Sequence, residues 1–313
     1  MRFAILFLAG LVALPAAEVE PLVKIGDYHL KTGRYGAAVV ADGYYVYVIG
    51  GDTGTEFLGD IERFDINSHK VVRLTDRLAA RRYPGAVIAD GRIYVFGGES
   101  ATPLRLGDRM EPTVDVFELS SGRITHAAPM PTARAYAATV LIQGKVYVVG
   151  GTHAGERLQA QTGMVEIYDL ATDRWSTGPS MPTARECRGA VVDDFILVPG
   201  GYRDKARVAR VEFYVPGENA WKRLPDLCKP VSACSVAFLG SHLFLFGNYS
   251  DEKEVVAYDL RTRTSRVIHP DFRAARHTAA VAHAGRIYVI GGNLPGDTRV
   301  AIDDIQVFAP PAP

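Results

Sequence analysis

An all-β fold built from six repeated four-stranded units is what the sequence predicts, and three observations carry that reading. One string recurs six times: YVYVIGG (45–51), RIYVFGG (92–98), KVYVVGG (145–151), FILVPGG (195–201), HLFLFGN (242–248) and RIYVIGG (286–292). Its first glycines, Gly50, Gly97, Gly150, Gly200, Gly247 and Gly291, stand 47, 53, 50, 47 and 44 residues apart. A period near 50 marks the blades of a β-propeller rather than a shorter solenoid unit. Between the repeats, Gly and Pro interrupt short runs of β-branched and aromatic residues, which leaves no room for a long helix.

The first element in the chain reads as an address. MRFAILFLAGLVALPAA opens on Arg2, runs apolar from Phe3 to Leu14 and ends on Ala16 and Ala17. That is the layout of a signal peptide, and its apolar run is shorter than the ~20 residues a spanning helix needs. We therefore expect a signal segment at 1–17 and a single propeller domain over 18–313, secreted or periplasmic, with no membrane insertion after cleavage. Lys and Arg total 35 against 35 Asp and Glu, so broad electrostatic capture of nucleic acid is not expected.

Each repeat then reads as four strands. The first is rich in small residues, as in YGAAVVADG and YAATVLIQG, which suits crowded strands around a propeller axis. A turn such as Asp-Gly or Gln-Gly follows, where glycine supplies the positive φ of a tight hairpin. The second strand is the β-rich string ending at Gly-Gly. A loop of variable length leads to a third strand carrying Phe64, Phe117, Tyr168, Tyr214 or Tyr258, with Glu62, Asp115, Glu166 or Glu212 two places earlier in four copies. Seven residues after each aromatic the fourth strand offers Val71, Ile124, Trp175, Trp221 or Ser265. The sixth copy stops at DIQVFAP (304–310), one strand short, while PLVKIGDYHL (21–30) precedes the first copy. Closure is expected through the two ends sharing a blade, which removes two open sheet edges at once.

A Gly-Gly pair, a later Tyr or Phe, then Trp, once per unit, resembles the kelch-repeat family. The resemblance covers roughly residues 20–310 and implies a six-bladed kelch-type β-propeller of four-stranded antiparallel blades, closed by an N-terminal strand completing the last blade. Gly247-Asn248 departs from the pair, and Val71, Ile124 and Ser265 depart from the Trp.

Alternating strands place the loop after Gly-Gly and the turn before the small-residue strand on one face. That turn carries a recurrent arginine: Arg34, Arg81 and Arg82, Arg134, Arg185 and Arg276, with Lys229-Pro230-Val231 in the fifth repeat. Arginine forks suit carboxylate or phosphate. Arg34, Arg82, Arg134, Arg185 and Arg276 are therefore expected as a cationic ring that binds an acidic group of a peptide, glycan or small metabolite. The same arginines could instead satisfy loop carbonyls and local acids such as Glu186 and Asp271. The long loops 99–112 and 152–163 are further binding candidates.

No nucleophile elbow, HExxH, P-loop or dinucleotide fingerprint occurs, and no Cys/His spacing fits a metal. No cofactor and no metal site are expected. The eight histidines are scattered, with His153 and His277 toward the functional face. Cys187, Cys228 and Cys234 allow at most one intramolecular disulfide. A binding scaffold is the leading reading, its partner a protein, peptide or glycan at one propeller face. The alternative is an exported sugar mutarotase, since kelch propellers that interconvert sialic acid anomers are similar in architecture and address. Glu156 beside Arg157, or Glu186 beside Arg185, are the acid/base candidates for it.

Overall fold

The computed structural model describes residues 20–101, 108–154, 159–249, 251–294, 296 and 300–311. The segment read as a signal peptide, and Glu156 with Arg157, lie outside the described residues. Six four-stranded antiparallel sheets dominate the fold. Their innermost strands, Ala38–Asp42, Gly85–Ala89, Ala138–Ile142, Ala190–Val192, Ser235–Leu239 and Ala279–His283, contact one another in a closed ring. Each sheet is thus a blade, numbered here 1 to 6 in that order. Among the described residues the only helical turn is a 3₁₀ turn, Pro216–Glu218.

The ends meet as the sequence implies. Blade 6 takes three strands from the C-terminal side and its outermost from Val23–His29, which pairs antiparallel with Asp304–Ala309. The register runs from Val23 opposite Ala309 to His29 opposite Asp304, with one irregularity between Lys24 and Gly26. The hairpins at Asp90-Gly91, Gln143-Gly144 and Ala284-Gly285 carry positive φ at both residues, the geometry whose twist matches that of the flanking strands.

The core is six apolar wedges, one between each pair of neighbouring blades. The third-strand aromatics fill them: Phe64, Phe117, Tyr168, Tyr214 and Tyr258 are all at most 2% exposed. Trp175 and Trp221 reach across the outer seams, their indole N–H groups donating to the carbonyls of Ala128 and Pro179. In blade 5 a different tie serves: Ser265 Oγ accepts from the Cys228 amide at 2.7 Å.

Gly-Gly exists because neighbouring blades approach there. A Cβ on Gly50 would stand 2.7 Å from the carbonyl oxygen of Arg81 in the next blade, and one on Gly150 would stand 2.9 Å from that of Arg185. The following glycine amides, Gly51 and Gly151, donate to those same carbonyls. Backbone packing of this kind excludes any side chain, so the repeat is a record of the seams.

Candidate functional site

The turn before each inner strand and the segment after each Gly-Gly do share one face. They are bridged directly at Tyr35–Asp52, Arg82–Glu99, Ala135–Thr152, Glu186–Tyr202 and Arg276–Asn293. What occupies that face differs from the expected ring of arginines.

Counting back from the inner strands, Arg34, Arg81, Arg134 and Arg185 hold one structural position, and all are at most 1% exposed. Each turns inward to the third strand of its own blade. Arg34 bonds Asp60 and Glu62, the latter at 2.7 Å, and Arg81 bonds Asp115 at 2.6 Å. Arg134 bonds Glu166 at 2.7 Å, and Arg185 bonds Glu212. Further donors meet main-chain oxygens, for Arg134 those of Val148, Gly150 and Met164, while the buried Nε of Arg134 has no hydrogen-bond partner among the described residues. These partners are the acids that precede the third-strand aromatics. Arg34, Arg134 and Arg185 are therefore ties within blades rather than a rim, because burial and carboxylate pairing consume their charge.

Blade 5 carries Val231 and Val256 at the two positions, both buried in one wedge. The ion pair has been exchanged as a unit for an apolar contact, an exchange that is often close to neutral in energy. Asn248, fully buried, helps there by bonding the Ser232 amide, the Pro230 carbonyl and Glu254, which also pairs with Lys229.

Arg82 and Arg276 sit one position later. Arg82 is paired with Asp52 and Glu99, both at 2.9 Å. Arg276 is 8% exposed, stacks 4.5 Å over the Tyr249 ring and has a buried Nε without a hydrogen-bond partner. The expected single ring thus joined residues of two registers.

A cavity opens on this face beside blades 4 and 5, with a volume of about 670 Å³. Tyr136, Glu186, Arg188, Tyr202, Tyr249 and His277 are among its walls. Arg188 also lines a smaller space of about 140 Å³ on the axis, where the inner strands contribute residues such as Ala37, Ala86, Ala137 and Ala280. It stands at the junction of cavity and channel. Its described hydrogen bond is a 3.3 Å contact from Nη1 to the Cys187 carbonyl, and no carboxylate among the described residues lies within 4 Å of its guanidinium. The corresponding residues of the other blades are Ala37, Pro84, Ala137, Cys234 and Thr278. One charged side chain in a row of small ones was the available signal, and sequence reasoning passed over it.

Glu186 accepts a 2.9 Å hydrogen bond from Thr152. Burial raises its pKa, opposed by the bonds from Thr152 and Gln161 and by the charge of Arg188. Arg185, its expected partner, points away into blade 4. Burial, aided by the charges of Arg188, Arg276 and Arg82, pushes His277 down to about 3, so its imidazole is neutral at physiological pH. The described side-chain bond of His153 runs from Nδ1 to the adjacent Ala154 carbonyl, at 2.9 Å. All three cysteines are free thiols; burial raises Cys187 and pushes Cys234 up to about 12. Among the described residues His29, Asp303 and Asp304 cluster closely enough to hold a metal, but Arg273 already takes both oxygens of Asp304, at 2.7 and 2.8 Å.

A family model for the KLHDC2/KLHL20/DRC7 Kelch-repeats domain matches residues 36–248. The chain belongs to the kelch-repeat family. Kelch-like protein terF of Aspergillus terreus is 32% identical over 238 residues, covering 70% of this kelch chain and 51% of the relative. Kelch-like protein 35 of Mus musculus is 26% identical over 259 residues, covering 78% and 41%. The chain thus spans about half or less of the length of these curated relatives. A solved structure titled "Structure of YjhT" superposes with a TM-score of 0.76 at 15% identity, covering 88% of this chain and 95% of that one. At that identity the likeness is one of fold.

Proposed function

We propose that this kelch propeller is an exported binding module whose cavity at the mouth takes an acidic group of a peptide, glycan or small metabolite, anchored by Arg188. One observation carries the reading. Arg34, Arg81, Arg82, Arg134 and Arg185 are held by acids and the buried Arg276 stacks on Tyr249, whereas Arg188 lines both the cavity and the axial space with no carboxylate within 4 Å among the described residues. A guanidinium in a recess of low dielectric attracts an anion more strongly than one in water. Kelch scaffolds generally serve protein interaction, which supports the broader half of the proposal, and the apolar run at Phe3–Leu14 supports export. The test is a screen of acidic peptides, acidic glycans and small organic acids against the mature chain and against Arg188→Ala. Binding that disappears in the variant supports the reading, and hits that bind both equally reject it.

A second reading, sugar mutarotation, is favoured by Glu186, a carboxylate of raised pKa in the same cavity as Arg188 and the neutral His277. Anomer exchange of freshly dissolved acidic sugars, followed by NMR, checks it: no acceleration over buffer rejects it.

A further inference from the structure

Around the axis, one backbone amide from each of five blades donates to the carbonyl of the blade before it. Gly36 donates to His277 at 2.9 Å, Tyr83 to Gly36 at 2.6 Å, Tyr136 to Tyr83 at 3.4 Å, Cys187 to Tyr136 at 2.9 Å and His277 to Ala233 at 2.7 Å. The sixth link, from Ala233 to Cys187, is missing among the described residues. Its absence has a local cause. Gly36, Tyr83, Tyr136, Ala233 and His277 all adopt φ between 54 and 62°, and Cys187 alone of the six lies outside the left-handed region. Its carbonyl is met instead by Arg188 Nη1 at 3.3 Å. Three aromatics are held at positive φ, a conformation that costs energy in a bulky residue. Tyr83 and Tyr136 stack at 3.9 Å, and Tyr83 lies 5.3 Å from His277. This half of the mouth is filled; the half at the blade 4–5 seam holds the cavity.

We propose that this open seam is a receptor for a small organic carboxylate, which accepts hydrogen bonds from Arg188 and from the Ala233 amide and so bridges the break in the ring. This rests on the reading of the cavity as an acid-binding site and narrows it to a ligand class and a position. The volume of about 670 Å³ is that of a small-molecule pocket. Tyr136 and His277 supply aromatic walls, and His277, being neutral, adds no second charge there. Arg188 forfeits only a long contact to Cys187 on engaging the ligand, so little is lost in freeing it.

The experiment is amide NMR and hydrogen exchange on the mature chain titrated with benzoate, D-glucuronate and citrate, with a carboxylate-terminated pentapeptide as a fourth arm. The expected result is saturable binding of at least one small acid, exchange at the Ala233 amide slowed at least about tenfold at saturation, and affinity about tenfold or more weaker in Arg188→Ala. Alanine is the residue at this position in blades 1 and 3, so that variant keeps the local packing pattern. Binding that depends on Arg188 but leaves the Ala233 amide unchanged overturns the seam while the acid-binding reading survives. Binding of the pentapeptide alone overturns the small-molecule class. If none of the four binds, the seam and the reading beneath it both fall.

Discussion

Replacing Arg134 by valine removes one member of a buried pair and leaves Glu166, only 3% exposed, without its cation. Breaking such a pair from one side costs about 3–5 kcal/mol, because the surviving charge stays buried. The carbonyls of Val148, Gly150 and Met164 lose a donor in the same step. The expected loss is therefore about 3–5 kcal/mol, read by urea denaturation followed through the fluorescence of Trp175 and Trp221. In a heating experiment it corresponds to a fall on the order of 10 °C. Adding Glu166→Val supplies the decisive contrast. Blade 5 already lives with Val231 and Val256 at these positions, so the double variant should recover at least half of the lost stability. A single-variant loss below about 1 kcal/mol, or a double variant no better than the single, refutes the assignment of these arginines as ties within blades.

Gly150→Ala and Gly144→Ala both place alanine at positive φ, but only Gly150 faces a neighbouring backbone, while Gly144 opens onto free space. Gly144→Ala should cost about 1–2 kcal/mol in urea denaturation and Gly150→Ala distinctly more; equal costs would speak against the seam explanation. A bound anion repels the Glu186 carboxylate and so favours its protonated form. Affinity is then highest below the raised pKa of Glu186 and falls as pH rises through it; Glu186→Gln should flatten that profile, and titration calorimetry from pH 4 to 8 reads it. His277, held near 3 in the folded chain, should show imidazole resonances that stay flat from pH 8 to 4. Because the unfolded chain protonates this histidine near 6.5, His277 withdraws stability progressively as pH falls below that value.

Much of this fold is legible in local sequence because each blade repeats the same backbone problem six times. Gly-Gly, the hairpin turns and the small-residue strands answer contacts that recur at fixed offsets within a blade. Closure by Val23–His29 follows from a count of strands. The arginines were visible too, as were the acids, but not their partnership: Arg34 and Glu62 are 28 residues apart, Arg81 and Asp115 34, and Arg185 and Glu212 27. Loops of unequal length between second and third strands hide what the sheet makes constant. Arg82 and Arg276 joined the expected ring for a similar reason, since one position in the turn separates an inward side chain from one on the mouth. Arg188 went unnoticed because attention to what repeats passes over what breaks the repeat. Its position is held by small residues or proline in the other five blades, and its meaning emerges only when the axis, the cavity and the missing link at Cys187 are seen together.

The central claim, that Arg188 rather than the recurrent buried arginines anchors an acidic ligand at the mouth, is tested most directly by calorimetric titration of one binding acid into the protein and into Arg188→Ala. A charge-assisted hydrogen bond contributes about 1.5–3 kcal/mol, so the account predicts affinity roughly tenfold to a hundredfold weaker in the variant, with unfolding stability unchanged. Equal affinity in the two proteins would contradict it.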